Sequence, residues 1–465
     1  MKKNDIYVAE VVDNGMDLEG ICKIDSMPVF VPGLIQGEKA EIKVLKVNSS
    51  FAFGKIEKII SKSDSRMCPA CGEYKKCGGC EGLHISYEKL LDIKRKNAIN
   101  TLRKQNVTID FSHAQVYGMG APYNYRNKAQ YPVRDAQGTL TLGMFSKRTH
   151  DIVEVKKCEI QDSRLNEIVE IVYAELKNSG LGGYNEKANT GVVRNILLRR
   201  GFYTGEVMLV FVVNGKEYVS DKRLETVISN VCKKAQDIQS VCINVNDKNT
   251  NVILTGETYT VYGKDYITDY IGDKVFKIGT NSFFQVNTVQ AEVLYNVLKE
   301  KLKLEKEYKL LDLYSGVGSI GIFLSDSVSQ VYGVEIVEEA VKMARDNTKI
   351  NSVQNVEYIQ GDATEEIARL ENEGVKFDIV VVDPPRKGLD AQGIETLKKI
   401  HAQKIGYVSC NVATLARDLK LLEDTYKVVS VDFVDLFPFT RTFRVRGCTD
   451  SKGYMSIAMK YFDKF

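Results

Sequence analysis

The stretch Leu311-Asp312-Leu313-Tyr314-Ser315-Gly316-Val317-Gly318-Ser319 decides the fold of the C-terminal part of this chain. Its apolar residues predict the end of a strand, and its two glycines predict a tight turn from which a helix starts. Around it, strands and helices alternate, with predicted strands at 308–313, 331–335, 356–359, 377–383 and 405–409 and predicted helices at 289–302, 319–324, 337–350 and 364–372. This alternation is typical of a doubly wound parallel sheet with helices on both faces.

The glycine turn and the strand after it predict a nucleoside site. Gly316 and Gly318 allow the backbone to pass close to a ligand. Glu335 ends the next predicted strand, where a carboxylate can accept both ribose hydroxyls. A third glycine of the dinucleotide pattern would fall at Gly321 only by an irregular spacing, so S-adenosylmethionine (SAM) is favoured over NAD. Asp362 follows the third strand and is placed either to meet an adenine edge or to cap a helix.

Residues that could take part in a reaction lie at two further predicted strand ends. Asp383-Pro384-Pro385 is followed by Arg-Lys-Gly, whereas enzymes that methylate amines usually continue this motif with an aromatic residue. Cys410 ends the next strand and is either a core thiol or a nucleophile. As a nucleophile, a thiolate at this position could add to C6 of a uracil. This addition turns C5, which is otherwise a poor nucleophile, into an enolate carbon that can attack a methyl donor. Such a base must first be swung out of any stack.

The N-terminal sixty residues predict a small barrel. Strand patterns at 7–12, 27–31 and 40–44 are separated by turns with glycine, and five or so short strands in this length fit a closed or nearly closed OB-like barrel. The region resembles the TRAM domain, an RNA-binding barrel of RNA-modifying enzymes. The matching features are Gly20, Val29 to Gly33, Gly37-Glu38 and the closing strand at 51–56.

Four of the ten cysteines lie between positions 68 and 80, and such clustering favours a metal site over disulfides in a cytoplasmic chain. Cys71, Cys77 and Cys80 have the spacing C-x5-C-x2-C, and Cys158 could be a fourth ligand. Cys68 and Cys71 also form a C-x2-C pair, which could make a zinc ribbon with Cys77 and Cys80. Spacing alone leaves zinc and an iron–sulfur cluster equally open.

Together these motifs resemble the bacterial 23S rRNA (uracil-C5)-methyltransferases. The resemblance rests on Cys71 with Cys77-Gly-Gly-Cys80, on Tyr125 to Val133, on Gly143-Met144-Phe145, on Cys158 to Gln161, on Ser282-Phe-Phe-Gln-Val-Asn287 and on Val408-Ser-Cys-Asn411. It implies a [4Fe–4S] cluster on Cys71, Cys77, Cys80 and Cys158, with Cys68 left out. It also implies that Cys410 is the nucleophile and that Gln285, Tyr314, Glu335 and Asp383 line the pocket for SAM and uracil. The product would be 5-methyluridine in 23S rRNA. The alternative is tRNA, but tRNA enzymes of this type usually lack both the barrel and the cysteine cluster.

The resemblance breaks after Thr440. The family has Phe-Pro-x-Thr-x-His-x-Glu, whose glutamate removes the C5 proton, but here Thr442 and Arg444 occupy the histidine and glutamate positions. A frameshift near 439–441 would account for the break, since suitable codons for 442–452 read one base later restore His-x-Glu and an apolar strand. If the tail at 440–465 is genuine, we expect slow or absent product release, or an RNA-binding protein without turnover.

The overall composition is that of a multi-domain α/β protein. With 64 Lys and Arg against 61 Asp and Glu, the net charge of +3 neither demands nor excludes nucleic acid. Six basic residues crowd one predicted helix and form either a solvated face or an RNA contact; they are Lys89, Lys94, Arg95, Lys96, Arg103 and Lys104. We expect a cytoplasmic monomer that binds 23S rRNA, with no DNA or membrane partner.

The domain plan follows from these patterns. We expect a TRAM barrel over 1–62, a mixed α+β central domain with the iron–sulfur site over 63–274, and a Rossmann-like SAM-dependent methyltransferase domain over 275–465. The segment 85–120 is the one piece that could instead pack against the methyltransferase domain.

Overall fold

The computed structural model describes residues 1–136, 138–147, 149–441, 444–451 and 454–458. Its N-terminal part is a closed barrel of five strands, namely β1 (Ile6–Asn14), β2 (Gly20–Ile24), β3 (Met27–Val31), β4 (Lys39–Val47) and β5 (Ala52–Ser61). The strand order is β1-β2-β3-β5-β4, and pairing of β4 with β1 closes the barrel. Alternate side chains such as Val29, Val31, Ile42 and Val44 fill its interior. This confirms the predicted small barrel.

A long helix and a short strand follow, α1 (Tyr87–Lys104) and β6 (Val116–Tyr117). The hydroxyl oxygen of Ser86 caps the helix by accepting the N–H of Lys89. The apolar face of α1 packs against the C-terminal part of the chain, and β6 joins its sheet. Segment 85–120 therefore packs against the C-terminal part of the chain, the alternative that the sequence left open.

The central part is a mixed sheet with two helices. Its elements are β7 (Lys128–Ala136), β8 (Thr139–Leu142), β9 (Met144–Phe145), β10 (Ile152–Val153), α2 (Ser163–Asn178), β11 (Val193–Arg200), β12 (Val207–Val213), α3 (Lys222–Lys234), β13 (Ile238–Val245), β14 (Thr258–Gly263), β15 (Tyr266–Ile271) and β16 (Lys274–Gly279). Six of these strands form one sheet in the order β14-β13-β12-β11-β7-β8. Helices α2 and α3 share its apolar core.

The C-terminal part contains the predicted alternation of strands and helices. Its elements are α4 (Thr288–Leu302), β17 (Lys309–Leu313), α5 (Ser319–Leu324), β18 (Gln330–Glu335), α6 (Glu338–Ile350), β19 (Val356–Gln360), α7 (Ala363–Asn372), β20 (Ile379–Val382), α8 (Ala391–Ile400), β21 (Lys404–Ser409), α9 (Val412–Leu422), β22 (Tyr426–Val434), β23 (Arg444–Ser451) and β24 (Tyr454–Ala458). Together with β6 these strands form one nine-stranded sheet, in the order β19-β18-β17-β20-β21-β23-β24-β22-β6.

Strands β17 to β21 run parallel, so their carboxyl ends meet at one edge of the sheet. Ligands of open α/β sheets bind outside this edge. The two last strands lie between β21 and β22, and β23 is antiparallel to both. No helix in the described part of the chain is long and apolar enough to cross a membrane.

Candidate active site

The glycine turn after β17 is strained where a ligand would approach. Tyr314, Gly316 and Gly318 all have positive φ, at 61°, 55° and 80°. For Tyr314 this left-handed conformation costs about 1–2 kcal/mol, a type of strain that concentrates at functional sites. A Cβ at Gly318 would lie 2.4 Å from the hydroxyl oxygen of Tyr358, which itself donates to the Gly318 carbonyl oxygen. Only glycine therefore fits this position.

Glu335 lies beside the turn, at the end of β18. Its carboxylate accepts the N–H of Gly316 at 3.0 Å and the N–H of Val337 at 2.9 Å. These two hydrogen bonds fix the carboxylate against the turn, and its remaining lone pairs are able to accept hydrogen bonds from hydroxyl groups. A carboxylate held in this way at a strand end is able to accept the hydroxyls of a nucleoside ribose.

Asp312 is a third acidic group at this edge, and the sequence reading assigned it no role. It is buried, and its Oδ2 accepts the N–H of Gly321 at 3.0 Å. Burial, together with the charges of Asp383 and Glu335, raises the pKa of Asp312 to about 8. The charges of Asp383 and Glu335 thus reach Asp312, and their negative potential suits a cationic ligand such as a sulfonium. The raised pKa keeps Asp312 itself largely neutral near pH 7. The position of this acidic residue inside an otherwise apolar strand is the sequence feature that could have indicated its place in the site.

Cys410 follows β21 directly and is buried, with 2% of its surface exposed. The next residue, Asn411, caps α9 by accepting the N–H of Ala413. Asn411 and Thr414 both donate to the carbonyl oxygen of Arg386, at 3.4 and 3.2 Å. The loop that carries Cys410 is therefore joined to the loop that follows Asp383. Since β20 and β21 are paired in parallel, the two residues leave the sheet at the same edge.

Gln285 is buried in the loop between β16 and α4. Asn127 donates from its side chain to the carbonyl oxygen of Gln285 at 2.9 Å and from its backbone to that of Val286 at 2.8 Å. Asn287 in turn donates to the carbonyl oxygen of Leu436 at 3.1 Å. Two motifs that are far apart in the sequence, at 125–133 and 282–287, thus meet each other and the segment that follows β22.

That following segment is held by a buried ion pair. Lys94 of α1 lies 2.9 Å from Asp435 and also donates to the carbonyl oxygen of Phe437 at 3.1 Å. Tyr87 donates to the other oxygen of Asp435 at 3.0 Å. The side chains of Lys94 and Asp435 are 1% and 0% exposed. Lys94 was expected in a basic surface patch, and its internal role was not visible in the local sequence.

Asp362 caps a helix. Its carboxylate accepts the N–H groups of Thr364 and Glu365 at the start of α7. The sequence placed Asp362 either at an adenine edge or at a helix cap, and the structure shows the helix cap. Thr442, at the histidine position of the family motif, lies outside the described residues, and Arg444 begins β23.

The four expected cluster ligands line one small cavity. Cys71, Cys77, Cys80 and Cys158 surround about 50 Å³ of space, while Cys68 is exposed and does not reach it. Burial raises the pKa of Cys77 to about 11 and also raises that of Cys158. Within the described ranges, no three His, Cys, Asp or Glu side chains converge as the ligands of a single metal ion would. Four thiols around one cavity are nonetheless the donor set of a [4Fe–4S] cluster.

The chain matches two family models. Residues 217–446 match tRNA (uracil-5-)-methyltransferase, and residues 5–56 match the TRAM domain. A chain of Pyrococcus abyssi, solved as tRNA (uracil-54, C5)-methyltransferase in complex with S-adenosyl-L-homocysteine, superimposes with a TM-score of 0.74 at 26% identity. That match covers 95% of this chain and 99% of the other. Fold and site therefore define a SAM-dependent methyltransferase with an N-terminal TRAM domain.

Full-length relatives give the family. An uncharacterized RNA methyltransferase of Clostridium acetobutylicum is 41% identical, with 95% of this chain and 96% of the relative covered. Another, of Staphylococcus aureus strain MSSA476, is 38% identical, with 94% and 96% covered. The chain belongs to the RNA (uracil-5)-methyltransferase family. It is a SAM-dependent enzyme that methylates C5 of uracil in RNA.

Proposed function

We propose that this enzyme methylates uracil in 23S rRNA and that Cys410 is its nucleophile. The observation that carries the nucleophile assignment is the position of Cys410 at the carboxyl edge of the sheet, in a loop joined to the one after Asp383. In the proposed reaction, the Cys410 thiolate adds to uracil C6 and pushes electrons to C5. C5 then takes the methyl group from the sulfonium of SAM, which leaves as the neutral thioether. Loss of the C5 proton to a base allows the S–C6 bond to break and restores the thiolate.

Four further residues complete the proposed pocket. Glu335 binds the ribose hydroxyls of SAM, and the strained backbone of Tyr314 shapes the turn that SAM contacts. Asp383 and Gln285 hold the junction of SAM and uracil. The negative charges of Asp383 and Glu335 favour the sulfonium before transfer and lose that advantage afterwards, because the product carries no charge on sulfur.

The RNA class is open to a direct comparison. The barrel and the cysteine cluster favour 23S rRNA, as in the bacterial enzymes that the chain resembles. A specific observation favours the alternative, since the superimposing enzyme of Pyrococcus abyssi acts on tRNA and matches nearly the whole chain. We therefore test purified protein with methyl-labelled SAM and, separately, unmodified 23S rRNA and unmodified tRNA, followed by nucleoside analysis.

The outcomes separate the candidates. Labelled 5-methyluridine in 23S rRNA over many turnovers supports the proposal, and label in tRNA alone assigns the enzyme to tRNA. Label trapped in a protein–RNA adduct that disappears in Cys410→Ala supports the nucleophile. Such a trapped adduct also indicates slow release of the methylated RNA, which is expected because Arg444 stands at the position of the family's glutamate. Sequencing the 3′ end of the gene tests the frameshift. Label in neither RNA nor protein contradicts the proposed reaction.

We also propose that Cys71, Cys77, Cys80 and Cys158 hold a [4Fe–4S] cluster. The shared cavity of these thiols and the exclusion of Cys68 support this assignment. The four side chains would anchor the loop at 71–80 to the central part of the chain. Iron and sulfide analysis of anaerobically purified protein tests it. Cys158→Ala should lose iron, and the control Cys68→Ala should keep it. Equal iron in both variants contradicts the assignment.

A further inference from the structure

Helix α9 joins the two loops of the proposed active site. Its cap follows Cys410 directly, and its first turn holds the carbonyl oxygen of Arg386 through two side-chain hydrogen bonds. Arg386 belongs to the residues at 384–389, which connect Asp383 to the start of α8 and which we call the Arg-Lys-Gly loop. Two residues farther along α9, Arg417 and Asp418, contact the rest of this loop. Neither side chain takes part in the reaction proposed above.

The guanidinium of Arg417 bridges the helix and the loop. Its Nη2 donates to the carbonyl oxygen of Lys387 at 2.9 Å and to that of Leu389 at 2.8 Å. Its Nε donates to Oδ1 of Asp418 at 2.8 Å, which fixes the orientation of the planar group. A guanidinium presents its donors in a rigid fork, so it can hold two carbonyl oxygens and a carboxylate at the same time.

Asp418 connects the same loop to the sheet. Its side chain is 0% exposed. Oδ2 accepts the N–H of Leu389 at 2.9 Å and the hydroxyl of Tyr407 at 2.6 Å. Tyr407 lies on β21, opposite the last residue of β20. Burial raises the pKa of Tyr407 well above its usual value, so the hydroxyl keeps its proton and stays a donor. Asp418 thus links α9, the Arg-Lys-Gly loop and the strand that leads to Cys410.

Gly388 allows the loop to lie directly against these two side chains. Its φ of 73° is left-handed. A Cβ at this position would lie 2.5 Å from Oδ2 of Asp418 and 2.7 Å from Nη2 of Arg417. Both the backbone conformation and the close approach require glycine, which gives the last residue of Arg-Lys-Gly a structural reason.

We infer that Arg417 and Asp418 are positioning residues for methyl transfer, because they hold the Arg-Lys-Gly loop, and with it Asp383, at a fixed spacing from Cys410. The inference rests on the proposed function, in which Cys410 adds to uracil C6 and Asp383 lies at the junction of SAM and uracil. Loosening the hold of α9 on the loop changes this spacing without moving the glycine turn or Glu335. It should therefore slow the reaction while SAM still binds.

The test is a single-turnover assay with transcripts of 23S rRNA and of tRNA in which 5-fluorouridine replaces uridine. The thiolate forms the S–C6 bond, and C5 takes the methyl group while SAM leaves as the neutral thioether. C5 then carries fluorine in place of the proton that it would lose, so the S–C6 bond does not break and the adduct accumulates. Its rate of appearance on a denaturing gel reports addition and methyl transfer without the release step.

Arg417→Met should slow adduct formation at saturating RNA and SAM roughly 10- to 100-fold, since a misplacement of about 1 Å has an effect of this size. The affinity for SAM, measured by equilibrium dialysis, should not change. Arg369→Met is the matched control. The side chains of Arg417 and Arg369 are both 46% exposed, but the carboxylates that hold Arg369, those of Glu366 and Glu373, belong to its own helix and its C-cap. The control should form the adduct at the wild-type rate.

A second pair of variants keeps every side-chain donor. Gly388→Ala places a Cβ against Asp418 and should slow adduct formation in the same way. Gly374→Ala is its control, because Gly374 also has a positive φ, at 83°, whereas a Cβ there would meet nothing within 4 Å in the described part of the chain. Both substitutions put alanine into the left-handed conformation, which costs about 1–2 kcal/mol. A merely destabilising effect would therefore be the same in both.

Two outcomes would overturn the inference. One is an equal rate of adduct formation in Arg417→Met and Arg369→Met. The other is a loss of SAM affinity in Arg417→Met that accounts for the whole fall in rate. The wild type separates this inference from the proposed function. An adduct that forms in the wild type and is lost in Cys410→Ala upholds the nucleophile whatever the Arg417 variant does, whereas no adduct with either RNA contradicts the proposed reaction and this inference together.

Discussion

Replacement of Lys94 by methionine should strongly destabilise the C-terminal part of the enzyme. The ammonium of Lys94 and the carboxylate of Asp435 are 2.9 Å apart and almost completely buried. At an effective dielectric constant of about 20, their Coulomb energy is about 6 kcal/mol. Part of this offsets the cost of desolvating both charges, and truncating one partner of such a pair costs about 3–5 kcal/mol. Methionine retains the apolar stem of lysine, so the loss reports on the charge.

The neighbouring Lys96 provides a matched control. It lies on the same helix and is paired with Asp13 at 2.8 Å, but its side chain is 42% exposed. An exposed pair of this kind contributes at most about 1 kcal/mol, so Lys96→Met should change little.

The assay is urea unfolding followed by circular dichroism, because the chain contains no tryptophan. The double variant Lys94→Met/Asp435→Leu should recover much of the loss, since no unpaired charge then stays buried. A cost below about 1 kcal/mol in Lys94→Met, equal to that in Lys96→Met, would refute the reasoning.

Three more outcomes are expected. Cys410→Ala should abolish methyl transfer while keeping SAM affinity in equilibrium dialysis; retained 5-methyluridine formation would exclude this thiol as the nucleophile. Gly318→Ala should lose SAM affinity and stability because its Cβ meets Tyr358, whereas Gly316→Ala, with open space around it, should cost only about 1 kcal/mol; equal effects would contradict the steric argument. The raised pKa of Asp312 means that the folded state binds a proton more tightly than the unfolded state. Stability is therefore lost as pH rises from about 4 to 8, and Asp312→Asn should gain about 1.4 kcal/mol per pH unit over the wild type in that window; a pH-independent difference in unfolding free energy would contradict this.

The local patterns predicted the elements well. Predicted strands at 308–313, 331–335 and 356–359 correspond to β17, β18 and β19 within a residue or two. The period of apolar residues and the turn glycines act over a few positions, so both can be read from one segment alone. For the same reason Cys410 and Glu335 could be placed at strand ends, and parallel strands then bring such ends to one edge.

The basic helix α1 contains a feature that local sequence patterns do not predict, namely which of its lysines is buried. Lys94 and Lys96 look alike in the sequence, yet one is buried against Asp435 and the other reaches Asp13 of the barrel. These partners lie 341 and 83 residues away. No pattern within the helix indicates which lysine turns inward, because that depends on the surface against which the helix packs.

The sequence by itself determined the small N-terminal barrel, the alternation of strands and helices, the glycine turn and the candidate nucleophile. These features follow from backbone preferences and from the burial of apolar side chains at fixed periods. Only the tertiary structure decided that α1 packs on the methyltransferase sheet and that Asp312 lies beside two other acids. It also decided that three of the four clustered cysteines share a cavity with Cys158, while the fourth, Cys68, is exposed. Each of these depends on contacts between residues far apart in the chain, whose free energies exist only once the layers have packed together.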